Sequence, residues 1–260
     1  MSDHLIVERR DAIATVILNR PQSHNAINVG MYADLPELVG VLDSDPEVKV
    51  VVVRGAGQKS FASGADISEF QRERGDAASA RNYNERVAAA EQAIERLSKP
   101  TIAMVHGYCI GGGAGLALAC DIRFADSRAR FAITPAKLGL VYSLESSKRM
   151  VDLVGPARAK WVLMSGIQIQ ADRAFQLGLF DELTEPDDLE EFTYDFAGTV
   201  ASRAQFSVRA GKEIVRRITS GQVSDDEETT HLRNSSFDTD DYAEGVRAFL
   251  AKRPPRFEWS

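Results

Sequence analysis

The feature that most restricts the fold is the run TIAMVHGYCIGGGAGLALACDIRFAD, Thr101 to Asp126. It reads as an apolar strand delivered straight into three glycines, then an Ala/Leu-rich helix, then a second strand, with no linker between them. Strand and helix in such close alternation belong to an α/β fold with a largely parallel sheet. The preceding sequence supports this. LIVER and AIATVILN flank a polar turn at Arg9 to Asp11 and read as a β-hairpin. Asn28 is a candidate cap for a helix through Asp43, with Pro36 a kink or break inside it. VKVVVVRG is a buried strand and GAGQKSFASGAD a loop. The segment SARNYNERVAAAEQAIERLSK places Val87, Ala90, Ile94 and Leu97 on one helical face before Pro100 ends it.

Beyond the glycines, DIRFAD and ARFAI read as short strands, followed by helices over Leu144 to Val154, Pro156 to Met164 and Ala171 to Leu177. From Pro186 onward every segment reads as helix: Asp187 to Ser202, Ala204 to Ser220, Ser224 to Asn234 and Asp238 to Ala251. The expected organisation is therefore an α/β core over residues 1–200 with a helical region over 201–260.

Composition narrows the function. The net charge of −7 argues against nucleic acid or an anionic membrane surface as the main partner. No apolar run is long enough to span a bilayer, and MSDHLIVERRD lacks signal or transit character, so a cytoplasmic protein is expected. Cys109 and Cys120 lack C-x-x-C spacing and read as buried thiols. The four histidines, His4, His24, His106 and His231, show no ligand spacing, so no metal is expected.

The glycines admit several readings. A dinucleotide fingerprint fails because Leu116 stands where its third glycine belongs, and a phosphate-binding loop fails for want of a following lysine. GYCIG, Gly107 to Gly111, fits a nucleophile elbow with Cys109 as nucleophile and His231 following in order, which would make a cysteine-dependent α/β-hydrolase. Close helix packing accounts for Ala114, Ala117 and Ala119 but not for three glycines at a helix start, where each is less favourable than alanine. Free N–H groups there, at the positive end of a helix dipole, are suited to hold a developing oxyanion.

FASGADISEF, followed by HGYCIGGGAGLALACDIRFA and ARFAITPAKLGL, resembles the crotonase superfamily, also called the enoyl-CoA hydratase/isomerase family. The resemblance extends from LNRPQSHNAIN to YAEGVRAFLAKRPPRF, nearly the whole chain. It implies a ββα spiral core, a C-terminal helical region that mediates trimers or dimers of trimers, an acyl-CoA thioester substrate, and no permanently bound cofactor. It further implies that the N–H groups of Ala65 and Gly112 hold the thioester oxygen. His24, Ala26, Ala62, Ala65, Asp66 and Ile67 would contact coenzyme A, with Phe249 and Lys252 reaching the nucleotide, often from a neighbouring subunit. Asp66 has an alternative reading as a helix cap.

The two glutamates of the family's hydratases match Gly115 and Pro135 here, neither of which transfers a proton. TPAKLGLVY is similar to a stretch of methylmalonyl-CoA decarboxylases and puts Tyr142 at their active-site tyrosine, although those enzymes carry histidine where this chain has Ala65. Glu145, in a first helical turn, is a second candidate for proton transfer if it faces the pocket, and a stabilising residue of the helix start otherwise. Lys137 reads as solvated surface. The expectation is an enolate-stabilising decarboxylase or isomerase, with a non-catalytic acyl-CoA-binding protein as the alternative.

Overall fold

In the computed structural model, which describes residues 3–258, the opening hairpin forms as expected, β1 (Leu5–Arg10) pairing antiparallel with β2 (Ile13–Leu18). Asn28 accepts a hydrogen bond from the Met31 N–H at 2.9 Å and caps α1 (Val29–Ser44). Pro36 lies inside α1 without ending it, because Tyr32, Leu35 and Val39 keep the helix packed on the core. The buried valine run is β3 (Val50–Gly55).

GAGQKSFASGAD, read as a loop, contains β4 (Ser60–Ala62). A short α2 (Phe70–Glu73) and the long α3 (Ala77–Arg96) lead to β5 (Thr101–Val105). β5 does not run straight into the glycines. Gly107, at φ +56°, turns the chain in a place where a Cβ would strike the Lys59 carbonyl, and β6 (Tyr108–Ile110) intervenes before α4 (Gly112–Ala119). Three-residue strands such as β4 and β6 carry too few residues to show a period, which is why the sequence concealed them.

β7 (Ile122–Asp126) and β8 (Arg130–Ala132) follow, then α5 (Leu144–Val154), α6 (Pro156–Ser165), β9 (Ile169–Gln170), α7 (Ala171–Leu177) and β10 (Glu182–Thr184). The strands make two sheets. One has the order β1-β2-β3-β5-β7-β10 and is parallel beyond the hairpin; the other has the order β4-β6-β8-β9, with only β9 antiparallel. A strand of the first sheet, a strand of the second, then helix: this ββα unit repeats along the chain as a spiral.

Period-two alternation divides the large sheet between two cores. Val51, Val53, Ala103 and Val105 face the main core, whereas Val50, Val52, Ile102 and Met104 face a second cluster closed by Leu189 and Ala197 of α8 (Leu189–Ala201). Burial on both faces explains the unbroken apolar reading of β3. The remaining helices are α9 (Gln205–Thr219), α10 (Glu227–Ser235) and α11 (Asp240–Leu250). Lys212 of α9 ties this region to the core through Asp121, at 2.8 Å, and the Lys99 carbonyl, at 2.9 Å. Among the described residues no helix is long and apolar enough to cross a membrane.

Candidate active site

A cavity of about 470 Å³ opens where α3, α4 and the segment preceding α5 converge on the end of β4. Its volume suits a small ligand. Both expected oxyanion donors, Ala65 and Gly112, line it. Ile27 makes a parallel bridge to Ala65 by donating to the Gly64 carbonyl at 2.8 Å and accepting from the Asp66 N–H at 2.9 Å. In that pattern both bonds flank Ala65, whose own N–H faces the other way. Gly112 begins α4, so its N–H has no carbonyl one turn earlier to bind. A Cβ on Gly112 would come within 3.4 Å of the Ala65 nitrogen, so the two donors face one small volume and are able to hold a carbonyl oxygen.

Each of the three glycines has its own reason. Gly111 takes φ +53° and ψ −116°, a conformation L side chains avoid. A side chain on Gly112 would collide with the Tyr32 hydroxyl, and one on Gly113 would approach the Ala62 carbonyl to 2.5 Å, where α4 crosses β4.

The residue that sequence reasoning missed is Glu91. It is buried, and its Oε2 accepts from Ser146 Oγ at 2.6 Å and Arg149 Nη1 at 2.6 Å. A Cβ on Gly115 would run into Glu91 Oε1 and come within 3.1 Å of the Tyr142 hydroxyl. A carboxyl group from α3 thus fills the space that a side chain at position 115 would enter from α4. Burial raises the Glu91 pKa above the ordinary carboxylate value and outweighs the opposing Ser146 and Arg149 contacts. Its signal was present: residue 91 falls four after Val87 and three before Ile94, an acid on the apolar face.

Tyr142 lines the same cavity, and its hydroxyl is buried without a hydrogen-bond partner. Burial, with Glu91 nearby, pushes its pKa well above the usual phenol value. Glu145 is exposed, accepts a hydrogen bond from Gln92 at 2.7 Å and is not part of the cavity wall. The α5 start turns Ser146, not Glu145, inward. Pro135 is on the wall, and Lys137 is exposed.

The residues expected around coenzyme A separate into two groups. His24, Ala26, Ala62, Ala65, Asp66 and Ile67 form one ribbon, because the Ser63 N–H donates to the His24 carbonyl at 3.0 Å and Ile27 is bridged to Ala65. Within it, Asp66 caps the short helical turn Ile67–Glu69 through Ser68 and pairs with Arg20 at 2.7 Å. Although burial acts to raise its pKa, the Ser68 and Arg20 hydrogen bonds win and hold it below the usual value. Phe249 and Lys252 are exposed on and just beyond α11, away from the cavity wall.

The cysteine-hydrolase reading is overturned. Cys109 is fully buried in β6, and burial pushes its thiol pKa far upward; Cys120, also buried, is pushed up to about 12. His231 is exposed in α10, where it contacts Ser235.

Comparison with known proteins shows the family. The chain is 33% identical over 259 residues to a crotonyl-CoA hydratase of Syntrophomonas wolfei, covering 98% of each chain. It is 32% identical over 255 residues to a short-chain-enoyl-CoA hydratase of Clostridium acetobutylicum, covering 96% of each. A solved enoyl-CoA hydratase/isomerase family protein from Hyphomonas neptunium superposes with a TM-score of 0.96 at 38% identity, covering 99% of this chain and 98% of that one. Residues 8–260 match the sequence profile described as enoyl-CoA hydratase/isomerase. With a ββα spiral and this match over nearly its full length, the chain belongs to the enoyl-CoA hydratase/isomerase family.

Proposed function

We propose that the protein isomerises the double bond of an acyl-CoA thioester through an enolate held by the N–H groups of Ala65 and Gly112, with Glu91 as the proton carrier. The observation that carries this is the one carboxyl group that the described residues place on the cavity wall, set in the side-chain space of Gly115. In a 3-enoyl thioester, the Glu91 carboxylate takes a proton from C2 and the electron pair moves onto the thioester oxygen. The same carboxyl returns the proton to C4, leaving the conjugated 2-enoyl ester and a regenerated carboxylate. One carboxyl suffices for this; the family's hydration chemistry uses two, and positions 115 and 135 carry neither.

Decarboxylation is a second reading, favoured by the unpartnered Tyr142 hydroxyl beside Glu91, since loss of carbon dioxide yields the enolate directly and needs only a proton source. Coenzyme A would lie along the ribbon from His24 to Ile67. The exposed apolar side chains of Val141, Leu144, Phe249 and Leu250 support association with further copies, from which Phe249 and Lys252 would reach the nucleotide.

A panel of 3-enoyl, malonyl-type and 2-enoyl CoA esters, followed by mass spectrometry, tests the proposal. The expected result is conversion of the 3-enoyl ester and negligible hydration of crotonyl-CoA at neutral pH. Robust crotonyl-CoA hydration would remove the isomerase assignment, and binding without turnover of any ester would leave an acyl-CoA-binding protein.

Tyr142→Phe gives a further expectation. The hydroxyl is buried without a hydrogen-bond partner, so its removal should leave the melting temperature unchanged or slightly higher. If it bonds to substrate or to Glu91 during turnover, kcat should fall at least tenfold. Full turnover in this variant would return Tyr142 to a packing role.

A further inference from the structure

Among the described residues, Arg74 is the one cation on the cavity wall. Its guanidinium stacks 4.4 Å from the Phe70 ring centroid and 4.0 Å from that of Tyr83, and its Nε is buried with no hydrogen-bond partner. The acids around it are committed to other partners. Glu69 accepts from the Val29 N–H at 2.8 Å and pairs with Arg72; Glu73 pairs with Arg72 at 2.8 Å; Asp66 pairs with Arg20; and Glu91 pairs with Arg149. Among the described residues, none forms an ion pair with Arg74.

The two rings are inclined at 73° to each other, so together they hold the cation in a corner and leave N–H groups of the guanidinium free to meet an acceptor. The same wall carries the apolar side chains of Ile67, Val87, Leu138, Leu140 and Val141. Several of these side chains are exposed, so a substrate that covers them would desolvate the cation and favour an anion beside it. Its position is distal: Tyr83 packs edge-on against Tyr32 at 5.9 Å, and the Tyr32 hydroxyl abuts Gly112, so two rings separate Arg74 from the thioester end.

We propose that Arg74 receives a carboxylate at the far end of the acyl group, so that the substrates are coenzyme A esters of dicarboxylic acids. This rests on the acyl-CoA reading above. A guanidinium holding that carboxylate stabilises it in place, which suits a group that stays on the substrate through isomerisation better than one that departs as carbon dioxide.

Calorimetric titration with malonyl-, succinyl-, glutaryl- and adipyl-CoA, each against the unbranched monocarboxylic ester of equal chain length, tests the proposal, with free coenzyme A as reference. At least one dicarboxylic ester should bind the wild type about tenfold more tightly than its partner, the scale of a charge-assisted hydrogen bond. Arg74→Gln should abolish that preference without weakening the monocarboxylic esters or free coenzyme A, and Arg74→Lys should retain part of it. Absence of a preference in the wild type, its survival in Arg74→Gln, or equal weakening of free coenzyme A would overturn the proposal while leaving the acyl-CoA reading intact. Failure of every ester to bind would overturn both.

Discussion

Glu91→Gln should lower kcat by about 10²-fold to 10⁴-fold, the usual contribution of a positioned proton-transfer group. Glutamine keeps the shape and can still meet Ser146, but it neither takes nor returns a proton. A buried carboxylate with a cation partner also has a structural role, so kcat alone does not distinguish the two. Two further readouts do. Exchange of the C2 protons of a saturated acyl-CoA into deuterium oxide should occur with the wild type and vanish in Glu91→Gln, while the affinity for that ester changes little. The pH profile supplies the other. Isomerisation needs the ionised base, and burial raises the Glu91 pKa, so wild-type turnover should be lost as pH falls through a value above the ordinary glutamate range of about 4.3. That limb should be absent from the residual activity of the variant. Relocating the group is the strictest check. Glu91→Ala empties the space beside Gly115, so Glu91→Ala/Gly115→Glu should recover part of the activity by presenting a carboxyl from the opposite wall. If exchange persists in Glu91→Gln, the proton carrier is another group and Tyr142 becomes the candidate.

What the sequence disclosed, and what it withheld, follows from the range over which each signal acts. The helices from α5 onward carry local periodicity and agree with their expected spans to within a few residues. Strands β4, β6, β9 and β10 have two or three residues each and exist through pairing with distant chain, so no local pattern announced them. The site shows the same division. Under the proposed function Ala65 and Gly112 act through backbone N–H groups, and the glycines around them carry the resemblance that singled them out. Glu91 would act through a side chain, which reaches a glycine 24 positions later only because α3 packs on α4. Reading position 115 along the chain finds no acid; reading it in space finds the Glu91 carboxyl group beside it. Glu145 misled for the complementary reason, since a helix start favours an acid whether or not it faces a cavity.

Arg149→Met should destabilise the protein by about 3–5 kcal/mol, the cost typical of breaking a buried ion pair by removing one partner. Arg149 is nearly buried and joins α5 to α3 twice, through Glu91 at 2.6 Å and the half-exposed Glu95 at 2.8 Å. Methionine fills much of the volume but leaves the Glu91 carboxyl in an apolar site with Ser146 as its remaining partner. Urea unfolding followed by circular dichroism measures the loss, and Glu95→Gln should cost far less because that end of the bridge faces solvent. The double variant decides what the pair is for. If Glu91 and Arg149 were kept mainly for stability, either single change would already lose the shared interaction, and Glu91→Gln/Arg149→Met would be no more stable than Arg149→Met alone. A buried pair kept for chemistry behaves otherwise: removing both charges relieves the stranded carboxylate, so the double variant should be more stable than Arg149→Met alone and remain inactive. Arg149 would then be a positioning residue, holding Glu91 ionised at a depth where an unaccompanied carboxyl would stay protonated. Its loss should therefore also move the acidic limb of any remaining activity to higher pH. A double variant less stable than either single variant, with the limb unmoved, would make the bridge structural and separate it from the proton-transfer role of Glu91.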